Sequence, residues 1–409
     1  MNNIVISENE NRSRVLGILY NLSLFSIGGA ILLVPFSKHY LKFSLLFGFL
    51  CLIIIKILEY RNNARPLSKY TYLNMPVLIF VVFLLLSTLF ARNFYDSQKI
   101  FFERILFYAA IFILVKETVN TKKRLYFVLA AFIFTALITG LDGLWQYFKG
   151  YDLFFGYPKN DPGIGKAVAI SGPFGISNYF SGYLERILPL VIFLCFVRKN
   201  KYLSVLLFIT LFLLLFCWVY GFKREPWLSV SAGVIIISFF INKRYTIVFI
   251  AALIFIGIVS PHYVSQRMEK SFQNGWDTGR IGIWKEAVRL FKERPIFGQG
   301  LGGYERYNKL NDPNIIHAHN VYLELLSDTG IAGLLGFLYL IGVFLIRSFH
   351  DIIKLRSKNS KLILAGLVSS CVSSFIGGLV ATNIIVGIAF SSMFWMIIAL
   401  ASIYPGLTE

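Results

Sequence analysis

Residues 202–260 read YLSVLLFITLFLLLFCWVYGFKREPWLSVSAGVIIISFFINKRYTIVFIAALIFIGIVS. Three apolar runs, at about 202–220, 226–242 and 245–260, are parted only by Lys223-Arg224-Glu225 and by Lys243-Arg244. A helix needs about 20 mostly apolar residues to cross a bilayer core. Turns this short then force neighbouring runs to lie antiparallel. The same pattern extends outward to about 15–35, 41–58, 75–91, 101–117, 125–147 and 176–197 on one side, and to 331–349, 361–381 and 383–404 on the other. The expected fold is therefore an all-α polytopic membrane protein of about 12 transmembrane helices. Composition agrees: 56% of residues are hydrophobic and 15% charged, against about 25% charged in a soluble domain. A soluble enzyme with one membrane tag is excluded. The net charge of +19 would suggest nucleic acid in a soluble chain. Here it reads as cytoplasmic loops that set orientation, and no nucleic-acid partner is expected.

Residues 1–14 are polar, and no small-residue cleavage site follows a short apolar core, so a signal anchor is expected rather than a signal peptide. Basic residues gather in alternate loops: Arg12 and Arg14; Arg61, Arg65 and Lys69; Lys116, Lys122, Lys123 and Arg124; Arg198, Lys199 and Lys201; Lys243 and Arg244; Lys354, Arg356, Lys358 and Lys361. Those belong inside, with both termini in the cytoplasm. The opposite face receives the 148–175 loop, the Lys223-Arg224-Glu225 turn and the long segment 261–330. Three regions follow: 1–260 with helices 1–9, 261–330 as an external loop, and 331–409 with helices 10–12. Cys51, Cys195, Cys217 and Cys371 all sit inside apolar runs and form neither a disulfide framework nor a metal spacing.

Within the long segment, Ile281, Trp284, Val288 and Phe291 recur at helical spacing, and Pro295 stops the pattern. This predicts an amphipathic helix lying on the bundle or the lipid surface. A lid over a lipid-fed cavity is a sharper form of the same expectation.

Candidate chemistry collects on the external side. Arg224 stands against the orientation bias, either as a snorkelling anchor or partner of Glu225, or as a guanidinium clamp for phosphate oxygens. Arg280 opens the amphipathic helix, where a cation is unfavourable unless it pairs with Asp277 or an anion shares the helix start. His317 and His319 form His-Ala-His-Asn. They are too few for a metal site, and imidazole is suited to take a proton near neutral pH. Gly298, Gly300 and Gly303 satisfy G-x-G-x-x-G, but without a preceding strand they do not predict a dinucleotide fold. Glu185 and Arg186 lie inside the sixth predicted span. Adjacent helical residues do not face one another, so each needs another partner. Asp142 and Gln146, one turn apart, either line a polar cavity or form a hydrated helix end.

His319-Asn320, nine residues, then Gly330-Ile331-Ala332-Gly333 resembles the signature of the O-antigen ligase and polymerase superfamily. Gly279-Arg280 with Trp284, followed by Pro295-Ile296-Phe297-Gly298-Gln299-Gly300-Leu301-Gly302, resembles that family's long periplasmic loop. Ser171-Gly172-Pro173-Phe174-Gly175 with Asn178-Tyr179 and Pro189 resembles its motif entering a span. Arg224 before Trp227 resembles its Arg-containing turn, although Lys-Arg-Glu-Pro-Trp replaces the more usual Ser-Arg-Gly.

The resemblance implies a metal-independent, cofactor-free, inverting glycosyltransferase of the C-type architecture in the bacterial inner membrane. Its donor would be a glycan on undecaprenyl diphosphate and its acceptor lipid A–core. Arg224 and Arg280 would hold the diphosphate and His319 would act on the acceptor hydroxyl. Lys223, Asn178, Arg186, Gln146 and Asn320 are the further residues expected to touch substrate. A polymerase using the same donor is the nearest alternative. A lipid-linked glycan transporter is another, predicting broken helices and midplane charges.

Overall fold

The computed structural model describes residues 2–61, 70–161, 168–198, 200–260, 262–273, 280–311, 317–381, 384 and 387–408. The chain is helical almost throughout. In order come α1 (Asn2–Leu33), α2 (Lys38–Arg61), α3 (Asn74–Leu89), α4 (Phe94–Ile100), a π-helical turn (Phe101–Ile105), α5 (Leu106–Thr118), α6 (Lys122–Lys149), α7 (Ser177–Cys195), α8 (Lys201–Tyr220), α9 (Arg224–Ile241) and α10 (Lys243–Val259). Then follow α11 (His262–Gln273), α12 (Arg280–Glu293), α13 (Gly303–Asn311), α14 (Val321–Lys354), α15 (Lys358–Gly377), α16 (Ile388–Ile403) and the terminal turn α17 (Pro405–Thr408). Among the described residues there is no strand, only isolated bridges joining Tyr151 to Pro158 and Asn160 to Ala169.

Among the described residues, seven helices are long and apolar enough to cross a membrane: α1 from Arg14, α2, α6, α8, α9, α14 and α15. The chain is a multi-pass membrane protein. The other five predicted runs fall on α3, α5, α7, α10 and α16, which are shorter or, in α7, interrupted by charge. Short turns between helices are closed by side-chain caps, as where Asn200 accepts from the Leu203 amide and Asn242 from the Arg244 amide.

The core is formed by α7, α15 and α16, whose residues are buried nearly all round. Small residues let these helices approach closely. A Cβ on Gly233 of α9 would stand 2.2 Å from the Ser373 hydroxyl of α15, and one on Gly366 would stand 3.1 Å from Leu190 of α7. On α2, α8 and α10 the large apolar residues Phe43, Phe212 and Ile258 stay exposed, as helices facing lipid should leave them.

Outside the bundle, α12 and α13 share a small core of Ala287, Leu290, Tyr304 and Ala318. Helix α12 begins and ends where the sequence places it, but its buried face is turned from the expected one. Ala287 and Leu290 are covered, whereas Ile281 is 45% exposed. Ile281, Trp284 and Val288 instead line an open surface groove with Lys285 and Lys292. Packing against the Tyr304 ring, rather than the larger apolar stripe, sets the rotation.

The glycine-rich loop after α12 serves packing. Gly298, Gly300 and Gly302 all take positive φ. The Gln299 amide donates to the Ser327 carbonyl (3.0 Å) and the Gly300 amide to the Asp328 carbonyl (2.8 Å). The Asp328 carboxylate accepts from the Gly302 and Tyr304 amides at the start of α13. Here α14 itself breaks: Gly330 has φ 64 and ψ −166. The amides freed by the break, Ile331 and Ala332, donate to the carbonyls of Pro295 and Ile296 at 2.9 and 3.2 Å.

Candidate functional site

Two turns carry the candidate side chains, and each contains a non-glycine residue with positive φ. These are Phe222 (φ 51) and His319 (φ 49), the only non-glycines so placed among the described residues. Such backbone is held only when its surroundings impose it. At the first turn two indoles impose it. Trp218 Nε1 donates to the Pro226 carbonyl (3.0 Å), and Trp227 Nε1 donates to the Trp218 carbonyl (2.7 Å). The buried Phe222 ring fills the inside, and Arg224 becomes the first residue of α9.

At the second turn, Trp284 Nε1 of α12 donates to the Ala318 carbonyl (3.1 Å) from one side. From the other side Glu324 of α14 accepts from the Ala318 amide (2.9 Å) and pairs with His317 Nδ1 (3.2 Å). The Asn320 side chain accepts from the Tyr322 and Leu323 amides and caps α14. His319, between these anchors, presents an exposed edge.

Arg280 links the two turns. It is the first residue of α12. Burial, and then the positive charge of Arg224, hold its guanidinium below the usual arginine range, with Glu225 opposing. Arg280 in turn acts on His319. Burial first, then Arg280 and His317, lower the His319 imidazole below its ordinary value, against a smaller opposite effect of Glu324. Arg224, Arg280 and His319 thus share one electrostatic neighbourhood. Two helices start there on arginines, where the helix dipole disfavours a cation. His317 differs from His319: burial works against its charged form, but the Glu324 bond and the charges of Glu324 and Glu305 outweigh burial and raise it.

Behind the arginines lies a carboxylate that the sequence reading treated only as a neighbour of Arg224. Glu225 stands within electrostatic reach of Glu185, Arg186, Arg280 and Lys223. Arg186 is fully buried in α7 and donates to the Gly182 carbonyl (2.6 Å). Its Nη1 also reaches Glu185 at 3.4 Å, so these adjacent residues do meet, and Glu225 is the additional partner that the sequence required. Asp277, the alternative partner for Arg280, lies outside the described residues, as does Gly279. A cavity of about 160 Å³ adjoins the first turn, walled by Leu188, Ile192, Leu215, Trp218, Val230 and Val234. The indole that locks the Arg224 turn is thus also a wall of an apolar slot.

The remaining sequence candidates are placed differently. Gln146 is buried and occupied with its own chain: it donates to the Tyr157 carbonyl and the Ser171 hydroxyl and accepts from the Ser171 and Gly172 amides. It fastens the 148–175 segment. Asp142 accepts from the Leu153 amide in the same segment (2.7 Å). Asn178 stands exposed on the first turn of α7. Glu225 and Glu324 were missed as parts of the site. Glu324 had one available signal, its position within the first turn after a capping asparagine. Among the described residues no group of three His, Cys, Asp or Glu side chains is arranged to hold a metal ion.

Residues 209–338 match the family model described as O-antigen ligase. An uncharacterized protein of Haemophilus influenzae is 30% identical over 288 residues, covering 63% of this chain and 66% of that protein. The ComP-specific O-oligosaccharyltransferase of Acinetobacter baylyi is 24% identical over 375 residues, covering 86% of this chain and 65% of that protein. The chain spans slightly less than two thirds of the length of each relative. Arg224, Arg280 and His319 all fall inside the segment that is similar to the O-antigen ligase family.

Proposed function

We propose that the protein is an inverting glycosyltransferase that moves a glycan from undecaprenyl diphosphate to lipid A–core at the periplasmic face of the inner membrane. The observation that carries this reading is the single electrostatic neighbourhood of Arg224, Arg280 and His319. Two guanidiniums brought together at helix starts suit a dianionic group, and the diphosphate leaving group is one. As the anomeric bond breaks, charge grows on the bridging oxygen. Arg224 and Arg280 stabilise it, each preorganised donor being worth a few kcal/mol. This takes the place of a divalent cation. The neutral His319 removes the acceptor hydroxyl proton during attack. The apolar slot beside Trp218 accepts the first part of the polyprenyl tail. Lys223 and Arg186 act through Glu225, and Asn178 and Asn320 border the space in which substrate lies. In this reading residues 261–330 form the periplasmic portion between helix groups 1–260 and 331–409, and both termini are cytoplasmic.

A second reading differs only in acceptor. Similarity to the O-oligosaccharyltransferase extends over 86% of this chain, which favours a protein hydroxyl as the rival acceptor. A growing glycan, as in a polymerase, is the third. Purified protein supplied with an undecaprenyl-diphosphate glycan and chelator, with lipid A–core, a serine- and threonine-bearing protein and glycan offered separately, decides among them. Transfer to lipid A–core alone is expected. Loss of all transfer under chelator would overturn the metal-free mechanism.

A further inference from the structure

We propose that Glu324 is the positioning residue of the His-Ala-His turn, holding the turn by two contacts and facing the His319 imidazole with a negative charge. This rests on the reading of His319 as the base and adds a residue to it. One carboxylate oxygen pairs with His317 Nδ1 at 3.2 Å and the other accepts from the Ala318 amide at 2.9 Å. On the far side Trp284 holds the Ala318 carbonyl. The peptide between the histidines is therefore gripped at both its neighbouring polar groups, and His319 follows it in a left-handed conformation. Glu324 is itself fixed. It lies on the segment of α14 before the Gly330 break, and the Val321 amide of that segment donates to the Gly378 carbonyl (2.8 Å).

The charges around the two histidines come from the turn itself and from four further elements. Arg280 of α12, His317 of the turn and Glu324 of α14 face His319. Glu305 of α13 and Arg104 of the π-helical turn face His317. Burial first, then Arg280 and His317, disfavour the proton on His319, and Glu324 opposes them. The paired histidines thus do different work: Glu324 favours the proton on His317, which braces the turn, while burial, Arg280 and His317 favour the neutral form of His319, which can accept one.

The test reads His319 directly. In the full-length protein in nanodiscs, diethyl pyrocarbonate modifies neutral imidazole, and peptide mass spectrometry follows His319 as a function of pH. Glu324→Gln retains an acceptor for the Ala318 amide but removes the charge, so the His319 midpoint should move to lower pH. His317→Gln removes a cation and leaves Glu324 unpaired, so the midpoint should move to higher pH. In Glu324→Gln, kcat for transfer should fall about tenfold or more, with KM for the lipid-linked donor little changed because the arginines are untouched. Midpoints that stay fixed, or that move the same way in both variants, overturn the proposal, as does a loss confined to donor KM. If the midpoints move as stated but His319→Ala transfers normally, the base assignment fails while the positioning role of Glu324 stands.

Discussion

At His319 the surroundings decide the chemistry. Burial, Arg280 and His317 all disfavour its protonated form, so the imidazole stays neutral and basic down to a pH below its usual value of about 6.5. Activity that needs the neutral ring is present above the lowered value and lost as pH falls through it. The acid limb of kcat/KM is therefore expected below pH 6.5. Arg280→Ala removes a cation facing the ring, so the limb should move to higher pH while the rate falls about a hundredfold. Arg280→Lys keeps the charge and loses the planar fork, so the limb should stay while the rate falls about tenfold. His319→Ala should lose at least a hundredfold in rate with normal insertion into the membrane. A wild-type rate in purified His319→Ala would remove this residue from the mechanism. At this scale the sequence is readable where chemistry is local. Asparagine ahead of a helix announces a cap, and Asn320 supplies one. Glu225 was not readable as the counter-charge of Arg186 and Arg280, because α7 and α12 meet it only through tertiary packing.

At the scale of elements, the spacing from His319-Asn320 to Gly330 acquires a physical meaning. Asn320 starts a short helical segment and Gly330 ends it, so the motif measures one rigid stub that carries Glu324 and Asp328. A Cβ at Gly330 would lie 2.3 Å from the Ile296 carbonyl oxygen, and one at Gly298 would lie 2.4 Å from the Asp328 carbonyl. Both glycines also have positive φ. Gly330→Ala and Gly298→Ala should each cost about 2 kcal/mol or more, read as a lowered melting temperature in detergent. Gly282→Ala, which meets nothing within 4 Å, should leave it unchanged. The rotation of α12 shows why element boundaries were legible and facing was not. Periodicity marks apolar positions, but what covers them depends on Tyr304 and Ala318, which lie well along the chain. Gln146 shows the same limit: a polar residue at a helix end signals a partner, and that partner was the protein's own 148–175 segment rather than substrate.

At the scale of the molecule, the apolar runs fixed the class of fold because each is long enough to fall on its own helix. Orientation rests on the alternation of basic loops, and it is testable without altering the native thiols, since all four cysteines are buried. Lys285→Cys should react with an impermeant maleimide added to intact spheroplasts. Lys358→Cys should react only after lysis. The reverse pattern would place the arginines on the cytoplasmic side and exclude a periplasmic reaction.

The break in α14 bears on how the external region can move. Two peptide groups of a membrane helix depend on the chain just beyond α12 for their acceptors. Were the external helices to swing outward as a hinged flap, those amides would be stranded at the rim of the hydrocarbon, where each unmet group is worth several kcal/mol. The Pro295–Ile296 segment is therefore held against the break in α14 rather than hinged over it.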